Sequence, residues 1–260
     1  MKSLVKLSGI LAVAIFAAVQ AQAAVVLNET FSYVDGDLPT VSGGLWVNHS
    51  GNTGSLDVQV LSGQAEIAGA GARTGDDNRM LSGNPYSTGT VLYASFDVTF
   101  TLAPSATTTY FAHFKDNSTF GFFGRVFGTN DNGMIQMGIG NSSGGVANGL
   151  SGYVSGTFAL NTTQKIVVRL DMTTGDALST IWLNPTLESD PSGTASDAAN
   201  VAVGYGIESY ALRQSAGQGA ILLDNLLVGT TFADVIPEPS SLALVAIGVA
   251  GLFAIRRRRS

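Results

Sequence analysis

Between residues 24 and 235 apolar and polar residues alternate, and turn residues punctuate the chain about every 8 to 12 positions. Successive side chains of a strand point to opposite faces, so an alternating segment buries one side and wets the other. Residues 90–101 set Leu92, Ala94, Phe96, Val98 and Phe100 on one face. Residues 165–172 do the same with Ile166, Val168, Leu170 and Met172, leaving Lys165, Arg169 and Asp171 outward. The same signals predict strands over 25–31, 57–61, 64–68, 109–115, 120–127, 134–139, 178–183, 207–213 and 220–228. Leu61-Ser62-Gly63-Gln64 and Asn130-Asp131-Asn132-Gly133 suit antiparallel hairpins. No segment between the ends keeps a helical period beyond about two turns. The stretch 186–200, rich in Ser, Asp, Gly and Ala, reads as an exposed loop. The expectation is an all-β chain folded as an antiparallel β-sandwich.

Charge is unevenly spread. Of 13 basic residues, Lys2 and Lys6 open the chain and Arg256, Arg257, Arg258 and Arg259 close it. That leaves seven basic against 18 acidic residues between 24 and 235, a net of −11. Such a body repels phosphate backbones, so nucleic acid is not an expected partner. The absence of Cys excludes a disulfide framework and thiolate metal sites. It does not count against export, because a core of this size needs no staples.

Both ends carry address signals. Lys2 and Lys6 precede an apolar run over 7–19 and then Ala21-Gln22-Ala23, the order of a secretory signal peptide. Cleavage by signal peptidase after Ala23 starts the mature chain at Ala24. The other end reads Pro237-Glu238-Pro239-Ser240, an apolar run over 242–255, and the four arginines. That run of about 14 residues covers about 21 Å as a helix, short of the ~30 Å hydrocarbon core. A span is marginal, with the arginines held on the cytoplasmic side. The Pro-x-Pro step disfavours helix ahead of the run and leaves an extended strip. These three parts in order resemble the PEP-CTERM sorting domain. The resemblance implies a membrane protease, exosortase, that recognises Pro237-Glu238-Pro239, and membrane attachment through the C-terminal helix before processing. It also implies export to the envelope, outer surface or extracellular matrix of a Gram-negative-type bacterium. The domains are therefore a signal peptide at 1–23, a sandwich at 24–235 and a sorting or anchor segment at 236–260.

The length of the body favours a jelly roll. Three segments carry a further resemblance: Asn28 to Tyr33 with Gly43-Gly44-Leu45-Trp46, Arg169-Leu170-Asp171 through Trp182 to Pro185, and Leu222 to Asn225 through Phe232. They resemble concanavalin A-like, laminin G-like sandwiches. That implies the fold; sugar binders and adhesion modules occur among its members, and the fold alone does not choose between them.

No catalytic set emerges. His113 lies in an aromatic strand and reads as a structural, hydrogen-bonded histidine; His49 reads as a loop residue, and neither has a second His nearby in sequence. Gly140 to Gly144 formally matches a nucleophile elbow, but glycines follow where a helix is needed. Glu29, Glu66, Glu188 and Glu208 stand apart, without the paired carboxylates of a glycosidase strand. The laminin G-like resemblance implies Ca²⁺ in oxygen-rich turns, with Asp76, Asp77 and Asp131 as candidate ligands; Asp and Asn in such triplets also make turns on their own. A sugar site needs exposed aromatic platforms beside polar groups, and Trp46, Tyr153 and Trp182, with Tyr86 and Tyr205, are the candidates. The expected function is non-catalytic binding of glycans or other envelope polymers at the surface or in the matrix. Two alternatives stand beside it: a polysaccharide-active glycosidase or lyase on the same fold, and a purely structural matrix protein.

Overall fold

The computed structural model describes residues 24–51, 57–68, 73–105, 109–118, 121–141, 150–174, 177–196 and 206–236. The expected leader over 1–23 and the tail from Pro237 onward lie outside the described residues, as does Tyr205. In chain order the elements are β1 Val25–Glu29, β2 Gly36–Asp37, α1 Leu38–Val41, β3 Trp46–Ser50, β4 Gln59–Leu61, β5 Gln64–Ala68, β6 Asp76–Met80, β7 Val91–Leu102 and β8 Tyr110–Asp116. There follow β9 Phe122–Asp131, β10 Met134–Gly140, β11 Leu150–Tyr153, β12 Thr163–Asp171, β13 Leu178–Leu183, β14 Ser192–Ser196, β15 Ile207–Leu212, β16 Ala220–Gly229 and α2 Phe232–Val235.

The strands form two antiparallel sheets packed as a β-sandwich. The first runs β14-β13-β12-β7-β16-β5-β4-β2, with β1 also paired to β16; the second runs β11-β10-β9-β8-β15-β6-β3. β7 lies inside the first sheet, between β12 and β16, and is covered on both faces: Leu92, Ala94, Phe96, Val98 and Phe100 are fully buried in the core, and Tyr93 and Ser95 are buried on the outer side. Across the interior Phe96 and Phe100 meet Phe111 of β8 edge-on, with ring centroids 6.1 and 5.9 Å apart. Phe114 and Tyr210 pack at 5.0 Å in the same layer.

The hairpins turn where their sequences require. Leu61 pairs with Gln64 across Ser62 and Gly63, both at positive φ, and Asp131 pairs with Met134 across Asn132 and Gly133, also both at positive φ. That is the two-residue turn whose twist matches the strands it joins.

Two expectations fail. Asp76-Asp77-Asn78 is not a turn but the start of β6, paired on one side with β15 and on the other with β3. The stretch 186–200 is not all loop, because Ser192–Ser196 adds an edge strand to β13. Small polar residues carry no alternation, yet they fit where another strand edge comes close. A Cβ on Gly193 would meet the Tyr153 carbonyl at 2.4 Å, and one on Gly152 would meet the Thr194 oxygen at 2.5 Å. Glycine on both edge strands thus lets β11 and β14, from different sheets, close one side of the sandwich.

The outer face of the first sheet carries its own apolar cluster of Tyr93, Val167, Trp182 and Val235. α2 covers it: Phe232 packs edge-on against Tyr93 at 6.2 Å and against Trp182 at 5.9 Å. A capping box closes the helix start, with Thr231 accepting from Asp234 N–H and the Asp234 side chain returning to Thr231 N–H.

Candidate functional site

On the outer face of the second sheet two histidines, Tyr110, Phe122 and three cationic side chains come together among the described residues. A bulge in β8 between Tyr110 and Ala112 places the consecutive Phe111 and Ala112 both in the core. Tyr110 and His113 consequently share the outer face. A strict period of two would have put His113 inside beside Phe111. The pairing of His113 with Ala211 keeps it outward, while the adjacent Leu212 and Tyr210 point in. In β9 a second irregularity at Gly124, φ +55, turns Arg125 to the same outer side.

Around Tyr110 stand two guanidinium groups, Arg213 at 4.4 Å and Arg125 at 5.0 Å from the ring centroid. His113 lies 5.3 Å from Tyr110 and 4.5 Å from Phe122, and His49, on β3, comes to 6.0 Å from His113. Lys115 directs its ammonium to the backbone carbonyls of Asp116 and Ser118 at 2.7 and 3.1 Å. Arg213 donates through Nη1 to Thr109 Oγ1 at 2.5 Å and holds Nε 3.9 Å from Asp76 Oδ2.

The electrostatics follow from this crowding. His113 is fully buried, and burial, then the charges of its neighbours, holds its pKa well below the ordinary histidine value. His49 is pushed down to about 4 by burial and by Lys115. Both rings are therefore neutral at neutral pH. Burial lowers the Lys115 pKa and raises that of Tyr110, the latter opposed by Arg213 and Arg125.

The structure corrects the sequence reading of both histidines. His113 was expected to be hydrogen-bonded, yet neither ring nitrogen has a partner among the described residues. His49 was expected in a loop; it sits on β3, beside the histidine that sequence spacing had left alone. The fold supplies that proximity by bringing strands 64 residues apart onto one face.

The aromatic candidates divide. Trp46 is fully buried and gives its indole N–H to Glu29, and Trp182, 3 % exposed, lies beneath Phe232 with its N–H on the Asp190 carbonyl at 3.1 Å. Neither offers a ring face to a sugar. Tyr153 is 48 % exposed on the edge strand β11.

The three candidate Ca²⁺ ligands do not form one site. Asp76 accepts from Ser50 Oγ at 2.8 Å and Gln214 N–H at 2.9 Å, and Asp77 points inward and accepts from Val58 N–H at 2.9 Å. Asp131 lies at an exposed hairpin end, bonded to Asn132. Among the described residues no three His, Cys, Asp or Glu side chains come together as a metal set. Asn141, from the Gly140–Gly144 segment, is buried and ties the sheets together, accepting from Gly124 N–H and Ser179 Oγ and donating to the Ala177 carbonyl.

Residues 235–259 match the PEP-CTERM protein-sorting motif. The chain carries that motif, which marks it as an exported protein processed by an exosortase at the cell envelope. A comparison with curated proteins finds no match. Among solved structures, the metal-free carbohydrate recognition domain of Emp46p is 8 % identical, covering 77 % of this chain and 94 % of its own, at a TM-score of 0.48. The Ca²⁺/Man-bound exoplasmic/lumenal domain of VIP36 is 10 % identical over 76 % and 90 %, at 0.43. Alginate lyase PA1167 from Pseudomonas aeruginosa is 8 % identical over 62 % and 76 %, at 0.41. Each is a likeness at low identity, and the sandwich stands on its own sheet register.

Proposed function

We propose that this exported chain is a glycan-binding sandwich of the bacterial outer surface or extracellular matrix, with the outer face of the second sheet as its binding surface. In this reading exosortase acts on Pro237-Glu238-Pro239 with Arg256 to Arg259 holding the tail, signal peptidase acts at Ala23-Ala24, and the organism is of Gram-negative type. The observation that carries the binding function is His113, buried among Tyr110, Phe122 and His49 with both nitrogens lacking a partner among the described residues. A neutral imidazole offers one donor and one acceptor, the pair a sugar hydroxyl needs. Leaving both unmade in a buried setting costs about 1–3 kcal/mol for each group, a deficit that a polar ligand removes. The neighbouring rings supply apolar faces for the C–H side of a sugar.

A glycan array probed with the purified protein tests this, with and without added Ca²⁺. Binding is expected, and His113→Phe is expected to weaken it while the protein keeps its fold by circular dichroism. Silence across the array would end the binding assignment and favour a structural matrix role.

A second reading, polysaccharide cleavage on the same face, is favoured by His113 being held neutral beside Tyr110. A neutral histidine accepts a proton, and a tyrosine hydroxyl gives one. Release of reducing ends or of an unsaturated product from a bound polymer, abolished by His113→Phe, would convert the binding assignment into an enzymatic one.

A further inference from the structure

Val25 is the second residue after the expected signal-peptidase cut, and it pairs with Gly229 at the end of β16. A Cβ on Gly229 would lie 2.3 Å from the Asp234 Cβ, so α2 sits directly against that position, and Ile236 follows two residues after Asp234. Strand spacing and chain reach together place Val25 and Ile236 no more than about 20 Å apart. The two ends of the sandwich therefore leave it close together, beside β1. Five residues, 237–241, separate Ile236 from the apolar run over 242–255, a reach of at most about 18 Å.

β1 also forms one wall of a cleft of about 530 Å³, whose other lining comes from Gly44-Leu45 and from the end of β6 with Leu81 and Ser82. Ser82 N–H donates to the Val26 carbonyl at 2.9 Å and ties the two walls together. Val25, Leu45 and Met80 line this cleft, yet they are 50, 53 and 47 % exposed. Val47, also exposed, pairs with Asn78, two residues before Met80 on β6, so Val47 and Met80 share one face of the sheet. Single exposed apolar residues need no account, but four gathered around one opening mark a contact surface. Arg79, the charged residue in the lining, is paired with Glu29, and the body's net charge of −11 repels anionic headgroups. Apolar contact is what this surface offers.

Resting on the sorting reading above, in which the apolar run enters a membrane before processing, we propose that this cluster is a lipid-contacting surface of the unprocessed chain. Its occupant is the surface of the bilayer that holds the run, with Val25, Leu45, Val47 and Met80 seated among the headgroups while the tail is attached. The assignment follows from reach. A tether of at most about 18 Å holds the exit side of the body at high effective concentration against the lipid, so a patch too small to bind membranes alone is sufficient. Removing the tail removes the tether, and the patch then lets the processed protein go.

The chain has no Cys, so single-cysteine labels test this directly. The purified unprocessed chain is reconstituted in phosphatidylcholine vesicles containing nitroxide-labelled lipid, with a fluorophore at Leu45→Cys or, as control, at Leu102→Cys. Leu102 is exposed and lies nine residues along β7 from Tyr93, the partner of Gly229, about 30 Å away. The Leu45→Cys label is expected to be quenched at least about threefold more than the Leu102→Cys label. Met80→Glu, at an exposed position, is expected to remove most of that difference at an unchanged melting temperature, because a charge resists leaving water. Vesicle association with equal quenching at both positions, or with quenching indifferent to Met80→Glu, would overturn the lipid contact while leaving the sorting reading in place. Protection of the Leu45→Cys label that follows protein density instead of nitroxide lipid would give the patch to a second copy and overturn it likewise. Failure of the unprocessed chain to associate with vesicles at all would remove the membrane step of the sorting reading, and this proposal with it.

Discussion

The indole Nε1 of Trp46 donates to Oε2 of Glu29 at 2.8 Å, inside the sandwich and 17 residues away in sequence. The same carboxylate accepts from Phe31 N–H at 2.7 Å and Tyr33 hydroxyl at 2.9 Å, and it pairs with Arg79. Glu29 is 4 % exposed, so its charge is tolerable only because four donors surround it. Removing the acceptor strands all of them at once. Glu29→Ala is therefore expected to destabilise the protein by about 3 kcal/mol or more, and Glu29→Gln by less, since it keeps the shape and one acceptor. Urea unfolding measures both; a Glu29→Ala midpoint within error of the parent would dissolve this account of the hub.

Asp77 makes stability depend on pH. Burial first, then the neighbouring Asp57 carboxylate, push its pKa up from 3.8 to about 7, against the pull of Val58 N–H. Between those values the folded state binds the proton more readily than the unfolded chain, so this group's contribution falls as pH rises through the window and is lost above about 7. Asp77→Asn keeps an acceptor for Val58 and removes the titration. The variant is expected to gain on the order of 3 kcal/mol over the parent at pH 8, and nothing near pH 4. His49 and His113, whose pKa values are lowered, produce the opposite slope below the ordinary histidine pKa. Parent and variant must accordingly be compared at each pH by chemical denaturation. A constant difference across the range would exclude Asp77 as its source.

The glycine contact at the closed edge has its own signature. Gly152→Ala drives a methyl group to 2.5 Å from the Thr194 backbone oxygen, and no side-chain rotation relieves it. A loss of about 1–3 kcal/mol is expected, with faster amide exchange concentrated in β11 and β14. Unchanged exchange along those two strands would mean the edge yields without strain.

Much of this architecture was legible in the alternation itself. β7 and β12 lie where the period of two puts them, and Ser62-Gly63 and Asn132-Gly133 turn as their residue types demand. The site was not legible, for three physical reasons. The bulge at Phe111 moves His113 to the opposite face from the one its period assigns, and no residue type marks that bulge. His49 and His113 meet only through strand order, which sequence spacing does not encode. Trp46 was visible as a large aromatic after Gly43-Gly44-Leu45, but the donor–acceptor pair with Glu29 that draws it inside spans two strands. The one clue open to inspection was scarcity: with so few basic residues in the body, any convergence of three carries weight.

α2 should respond to loss of its cap. Asp234 accepts from Thr230 N–H at 2.9 Å and Thr231 N–H at 2.8 Å, and Val235 is buried against the outer face of the first sheet. Asp234→Ala is expected to cost about 1–2 kcal/mol and to loosen Phe232 from Trp182. Trp182 fluorescence should then shift to the red, whereas Trp46, in the core, reports no change. A spectrum identical to the parent would show that apolar packing alone holds the helix.

Processing is the remaining prediction, and it depends on how little chain separates the body from its tail. Ile236 donates to the Phe232 carbonyl at 3.0 Å, and Pro237 follows directly, so the Pro-Glu-Pro strip begins where α2 ends. Five residues, 237–241, lie before the apolar run, a reach of at most about 18 Å when extended. If exosortase acts on the Pro-Glu-Pro sequence, as proposed above, it works within that short reach of the folded sandwich. Replacing Pro237, Glu238 and Pro239 together by Ala leaves the apolar run and the arginines in place but removes the Pro-Glu-Pro sequence from the matched sorting motif. Retention of a full-length, membrane-associated form is expected in cell fractions probed by immunoblot, with the parent recovered shorter and outside the inner membrane. Asp234→Ala, which frees the end of α2, should be cut at least as fast as the parent. Normal shortening and release of the triple-Ala variant would place the processing signal elsewhere in the chain.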